Sequence, residues 1–180
     1  MVNILFLSNL IEGKGIFILL EACRLLKDRG LPFRCTFIGR EGDVTAAAFR
    51  ARIDEAGLSG KVYYEGPKYG KEKYAEFAGA DIFAFPSHYD TFGLVNLEAM
   101  QFCLPVVSTW QGGIPDVVED GVTGFLVPVK SPALVADRLE ELIRDPGLRI
   151  KMGKAGYEKY KKEFTMEIFE NRLRSILEKL

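Results

Sequence analysis

A repeating rhythm constrains this chain most: a short apolar run, a loop, then a segment with helical spacing, over and over along its length. Apolar runs fall at residues 2–7, 33–39, 62–64, 82–85 and 105–108, and a turn with a sixth run occupies 118–127. Helical spacing follows at 15–29, where Gly30 stops it, at 46–56 before Gly57, and at 71–78 and 94–102, and a short helix opens at 111–116. Ser131-Pro132 and Asp145-Pro146 each set an N-cap residue before a proline at the first helical position, predicting helices to Arg144 and to about Glu163. Thr165 begins a last helix with Ile168, Phe169, Leu173, Ile176 and Leu177 on one face. Six strand-then-helix units in series predict an α/β protein: a Rossmann-like, doubly wound sheet of about six parallel strands, with right-handed crossovers, helices on both faces and a helical C-terminus. Ligands of such sheets bind beyond the carboxyl ends of the strands.

At 180 residues, 48% of them apolar, the chain is sized for a single domain, 1–180, with a core of its own. Twenty-four basic side chains against 25 acidic ones leave no general field for nucleic acid. Cys23, Cys35 and Cys103 are widely spaced among apolar neighbours and lack zinc-site spacing, which predicts reduced core thiols in a cytoplasmic protein. The N-terminus runs straight into a strand pattern with no basic leader, and no apolar run reaches the ~20 residues of a membrane span. The expectation is a chain neither exported nor membrane-spanning.

One stretch carries the most chemistry: Pro86-Ser-His-Tyr-Asp-Thr-Phe-Gly-Leu-Val-Asn-Leu-Glu-Ala-Met100, a loop leading into a helix. Gly93 lets the backbone come close to a ligand, and the N–H groups after Phe92, those of Gly93, Leu94 and Val95, fall where a helix N-terminus leaves donors unpaired and suited to a phosphate. Asp90 stands in the loop, and Glu98 about one turn into a helix whose other positions are nearly all apolar. A carboxylate there is costly unless donors reach it, and sugar hydroxyls such as a ribose diol present paired donors. By residue type alone, Asp90 is equally well a turn cap and Glu98 a solvated helix charge. His88, the sole histidine, is set aside as a local hydrogen-bonding residue.

Other loops after strands add candidates. Ser8-Asn-Leu-Ile-Glu-Gly-Lys14-Gly15 is neither a phosphate loop of NTPases, since Ser8 and Gly15 stand where Gly and Ser or Thr are needed, nor a G-x-G-x-x-G fingerprint. Arg40, after Gly39, can stack on a nucleotide base through its planar guanidinium or serve as a surface charge. Tyr69 is either a base contact or a packed tyrosine. Gly112-Gly113 precede Pro115 as ordinary helix-start chemistry.

Asp90-x7-Glu98 inside Pro86-Ser87 and Phe92-Gly93-Leu94-Val95, with Lys14-Gly15 and Gly112-Gly113-Ile114-Pro115-Asp116, resembles the donor-binding half of retaining glycosyltransferases of the GT-B fold, family 4 (group 1). The resemblance covers essentially the whole chain. It departs from the pattern at Asp90, where a Glu is usual, and at Asn9, where an Arg is commoner, so that Lys14 would carry more of the charge. The resemblance implies a metal-independent hexosyltransferase domain with no cofactor, using a nucleotide-sugar donor, expected to be a UDP-sugar, in polysaccharide biosynthesis. An N-terminal acceptor domain is expected to be missing from this chain, leaving it inactive alone, and peripheral membrane contact by the whole enzyme is left open. By the same resemblance Glu98 would accept from ribose hydroxyls and Asp90 from hydroxyls of the transferred sugar. Lys14 and the N–H groups after Phe92 would neutralise the diphosphate as it leaves. Gly39, Arg40 and Tyr69 would lie at the base, Asn9 at the diphosphate, and Gly112 and Gly113 along the donor; Thr123 and Gly124 would lie at its ribose or phosphate side. The rivals are another GT-B enzyme, such as a sugar-nucleotide epimerase or a phosphorylase, and a non-catalytic α/β domain that binds a phosphorylated ligand or a partner.

Overall fold

The computed structural model describes residues 1–178. Six strands, β1 (Val2–Leu7), β2 (Phe33–Ile38), β3 (Val62–Tyr64), β4 (Ile82–Ala84), β5 (Val106–Thr109) and β6 (Gly124–Val127), form one sheet in the order β3-β2-β1-β4-β5-β6. Every pair in it is parallel. The helices are α1 (Ile16–Asp28), α2 (Ala46–Glu55), α3 (Gly70–Gly79), α4 (Leu94–Gln101), α5 (Ile114–Val117), α6 (Pro132–Arg144), α7 (Pro146–Glu163) and α8 (Met166–Leu177). This is the doubly wound arrangement that the strand–helix rhythm predicts, with most ends within a residue or two of expectation.

Strands buried on both faces need near-continuous apolar sequence, and β1 and β2 supply it. Their centre is aromatic: Phe6 is fully buried, with its ring centroid 5.0 Å from that of Phe37 and 5.9 Å from that of Phe85. Helix α1 packs against α6, and α4 against α7, and right-handed crossovers put the two pairs on opposite faces of the sheet. Sequence order reverses between β1 and β4, so the helices that follow these neighbours leave toward opposite faces, and the carboxyl edge at this switch point is where such sheets have their crevice.

Two expectations change, those for Cys103 and for Thr123 and Gly124. Cys23 and Cys35 are buried thiols, and burial, then the hydrogen bond with Cys23, push the Cys35 thiol well above its ordinary range. Cys103 is exposed: it takes a φ of 55° in the reversal between α4 and β5, which turns its side chain outward. Thr123 and Gly124 begin β6 at the amino edge of the sheet, opposite the crevice, because a parallel strand enters from that side. There the Thr123 hydroxyl accepts the Glu119 N–H at 2.9 Å. The apolar side of α8 faces outward, with Met166, Phe169, Leu173, Ile176 and Leu177 all exposed.

Candidate active site at the carboxyl edge of the sheet

The loop after β1 and the loop after β4 are laced together at one carbonyl. Gly13 O accepts from Ser87 Oγ at 3.0 Å and from the backbone N–H groups of His88 and Tyr89 at 2.9 and 3.0 Å. Next to it, Gly15 has a φ of 85°, and a Cβ there would overlap the Pro86 carbonyl. Only glycine suits both the conformation and the gap. A 3₁₀ turn over Glu12–Lys14, which the sequence pattern does not reveal, then aims Lys14 at the second loop. From below, Thr109 Oγ1 donates to the Ser87 carbonyl and anchors that loop to β5.

The outcome is a tight ionic cluster. Lys14 Nζ lies 2.8 Å from Asp90 Oδ2, while Asp90 Oδ1 accepts the N–H of Gly93 at 2.7 Å and of Phe92 at 3.1 Å. Burial raises the Asp90 carboxyl pKa, but the Lys14 ammonium and the two N–H groups outweigh it and hold the group below its usual range. Asp90 is therefore a turn and helix-end cap as well as a charge partner. Gly93 opens α4 at φ 70°, ψ 50°, a left-handed position where a Cβ would also crowd the Asn96 amide and Ile114. The N–H groups of Leu94 and Val95, in the first turn of α4, have no carbonyl within the helix to bond.

Beside the cluster is a cavity of about 380 Å³, lined by Asn9 and Gly39 from the loops after β1 and β2, Tyr69 ahead of α3, and Val95 and Glu98 from α4. Arg40 closes one wall, its Nε donating to the Tyr69 hydroxyl and its guanidinium 5.4 Å from the Tyr69 ring centroid. Asn9 Oδ1 accepts the Arg40 N–H at 3.3 Å, so the first two loops are also joined. Glu98 Oε1 accepts from Lys73 Nζ at 2.9 Å across the cavity wall.

The structure thus brings Asn9, Gly39, Arg40, Tyr69, Val95 and Glu98 to one cavity, and Lys14, Asp90 and Gly93 to one cluster at its side. Other candidates sit differently. Gly112 and Gly113 do not line the cavity; they pack behind the carboxylate loop, Gly113 N–H donating to the Thr91 carbonyl at 2.8 Å. The Phe92 ring turns inward, 6.4 Å from the Phe164 ring centroid, and leaves its N–H to Asp90. Leu94 is largely exposed. Sequence reasoning missed Lys68 and Lys73, both in the cavity lining. A usable signal existed for Lys73: it stands in the first turn of a helix that starts at the carboxyl edge, just after the candidate Tyr69.

A doubly wound sheet with a lysine, a helix N-terminus and a carboxylate-bearing cavity at its carboxyl edge is a Rossmann-like domain with the architecture of one half of a GT-B enzyme. The model of the family "Glycosyl transferases group 1" matches residues 2–159, and the chain belongs to that family. Among its relatives is a D-inositol 3-phosphate glycosyltransferase of Arthrobacter sp. (strain FB24), 34% identical over 155 residues, which make up 85% of this chain and 37% of that protein. The C-terminal domain of a group 1 family glycosyl transferase (LpcC) from Francisella tularensis superposes with a TM-score of 0.81 at 26% identity, covering 92% of this chain and 87% of that one. Anabaena HepE, solved in complex with UDP and glucose, has the same fold with a TM-score of 0.88 at 23% identity, over 99% of this chain and 48% of that one. The chain spans less than half the length of the curated relatives it matches. Among the described residues no helix is long and apolar enough to cross a membrane.

Proposed function

We propose that this chain is the donor-binding domain of a retaining, metal-independent family 4 glycosyltransferase, which transfers a hexosyl unit from a UDP-sugar to a glycan or lipid-linked acceptor in polysaccharide biosynthesis. The observation that carries the proposal is the placing of Lys14 and Asp90 at the N-terminus of α4 beside a cavity that holds Glu98 from the same helix. A nucleoside diphosphate needs acceptors for a ribose diol, a flat surface for its base and positive groups for its phosphates. Glu98, the joined Arg40 and Tyr69, and Lys14 with the Leu94 and Val95 N–H groups answer these in turn. An ammonium has three donors, so Lys14 can keep Asp90 and still reach a phosphate oxygen. As the glycosidic bond to the diphosphate breaks, charge builds on the phosphate oxygens, and a lysine with a helix end stabilises it electrostatically. Asp90, one methylene shorter than glutamate and held by its own loop, accepts from a sugar hydroxyl through its remaining lone pairs.

The greater length of the relatives supports a second, acceptor-binding domain in the whole enzyme, and this chain alone is then a donor binder without transfer activity. Isothermal titration with UDP, GDP, ADP and their glucose conjugates, with and without EDTA, tests the proposal. The expected result is selective binding of a uridine ligand, unaffected by EDTA and weakened about tenfold or more by Glu98→Ala. Absence of binding at millimolar ligand, both here and in a chain that carries the acceptor domain, would overturn it.

A further inference from the structure

Lys73 is a cavity cation to which the donor site, as assigned, gives no task. It rises from the first turn of α3 and meets Glu98 in the second turn of α4, so a single ion pair ties together the two helices that flank the cavity. The lysine side chain is 22% exposed and the glutamate 36%, which leaves the pair half in the cavity and half in the wall. Only Glu98 Oε1 is engaged; Oε2 has no protein donor among the described residues. Lys68, the neighbouring cation, is neutralised by Glu65 and Glu76, so Lys73 is the lysine of the lining that faces Glu98.

We infer that Lys73 is a positioning residue for ribose recognition, and the inference rests on the assignment of Glu98 to the ribose hydroxyls. Two physical effects act together. A glutamate on a helix surface samples several rotamers, and a carboxylate that must be ordered by its ligand binds that ligand less well than one already held. Lys73 holds Oε1 and leaves the other oxygen and the spare lone pairs for the vicinal hydroxyls. In addition, a bare carboxylate close to a diphosphate repels it, and the ammonium cancels that repulsion while leaving the acceptor in place. Lys73 thus makes an acidic group usable in a site for an anion.

The role is distinct from a structural one because it predicts a change in selectivity. Titration of the wild-type chain, Lys73→Met, Lys73→Arg and Glu98→Gln with UDP, GDP and ADP, each against its 2′-deoxy counterpart, separates the two. The wild type is expected to prefer the ribose form by about tenfold. Lys73→Met should lose most of that preference and fall to the level of Glu98→Gln, and Lys73→Arg, which still donates to Oε1, should keep it within about twofold. Thermal midpoints should stay within ~2 °C of wild type, as for any partly exposed pair. Retention of the full ribose preference by Lys73→Met would overturn the inference. A wild type that binds ribose and deoxyribose forms equally would remove Glu98 from the ribose, and this inference would fall with that assignment. A wild type that binds no nucleotide, alone or with its acceptor domain, would instead overturn the donor-domain proposal.

Discussion

Asp90 and Glu98 flank the start of the same helix, eight residues apart, and the fold bonds them differently. Asp90 accepts from three donors of its own chain, the Lys14 ammonium and the Phe92 and Gly93 N–H groups, and is set between two loops laced at Gly13. Among the described residues Glu98 has one side-chain donor, Lys73, to one of its oxygens, and it lines an open cavity. An acid satisfied by its own fold shapes the loop that bears it, whereas an acid held at one oxygen is presented to something else. On the proposed function the same carboxylate group thus serves as builder and sugar contact at Asp90 and chiefly as reader at Glu98, and stability and binding should separate accordingly.

The rigid side of this comparison breaks most easily at Gly15. Valine there must take a left-handed backbone and overlap the Pro86 carbonyl, so the lacing that sets Lys14 against Asp90 has to open. Gly15→Val should cost about 3 kcal/mol or more, a fall of roughly 6–12 °C in thermal midpoint. A midpoint unchanged by differential scanning fluorimetry would mean that the two loops are not braced at this point. Next in size is Asp90→Ala, which leaves two N–H groups and an ammonium without their acceptor. The loss should be about 1–2 kcal/mol, or ~2–8 °C.

Asp90→Asn sharpens the same side with a smaller effect, since it keeps a cap acceptor and removes the charge. Folding holds the Asp90 carboxyl below its ordinary value of 3.8, so the unfolded chain binds that proton more tightly than the folded one. The stability this contributes is complete above that value and is lost as pH falls through the lower folded one. Urea titrations at stepped pH should show a wild-type advantage over Asp90→Asn that is flat near neutrality and closes below about pH 3.8. An advantage that persists unchanged into acid would assign it to shape instead of charge.

Legibility in the sequence follows the range of the interactions. Strand and helix positions depend on apolar spacing and on local caps such as Asp145 and Thr165, whose side chains accept from Leu148 and Ile168, and these were readable almost to the residue. That Asn9, Lys14, Gly39, Arg40, Tyr69, Asp90 and Gly93 would share one edge followed from counting strands. What was illegible is set by a third dimension. Thr123 and Gly124 follow a plausible motif yet enter β6 at the far edge, and Gly112 and Gly113 support a loop from behind. Lys73 reaches Glu98 across 25 residues of chain, a pairing no local pattern encodes. Asp90 was open between cap and ligand acceptor because both roles ask for a carboxylate in the loop ahead of a helix start.

Glu98→Ala is the smallest stability change and the sharpest test of the contrast. The side chain is 36% exposed, its one partner can turn to solvent, and alanine is a better helix former than glutamate, so lost pairing and gained propensity nearly cancel. Folding should change by no more than ~0.5 kcal/mol, within about 2 °C. The same substitution is expected to remove about tenfold or more in nucleotide affinity. A destabilisation as large as that of Asp90→Ala would make Glu98 a second builder, and the division of labour between the two acids would disappear. A fold left intact with affinity lost would locate the reader at Glu98, because a general loosening of the domain would have lowered the midpoint too.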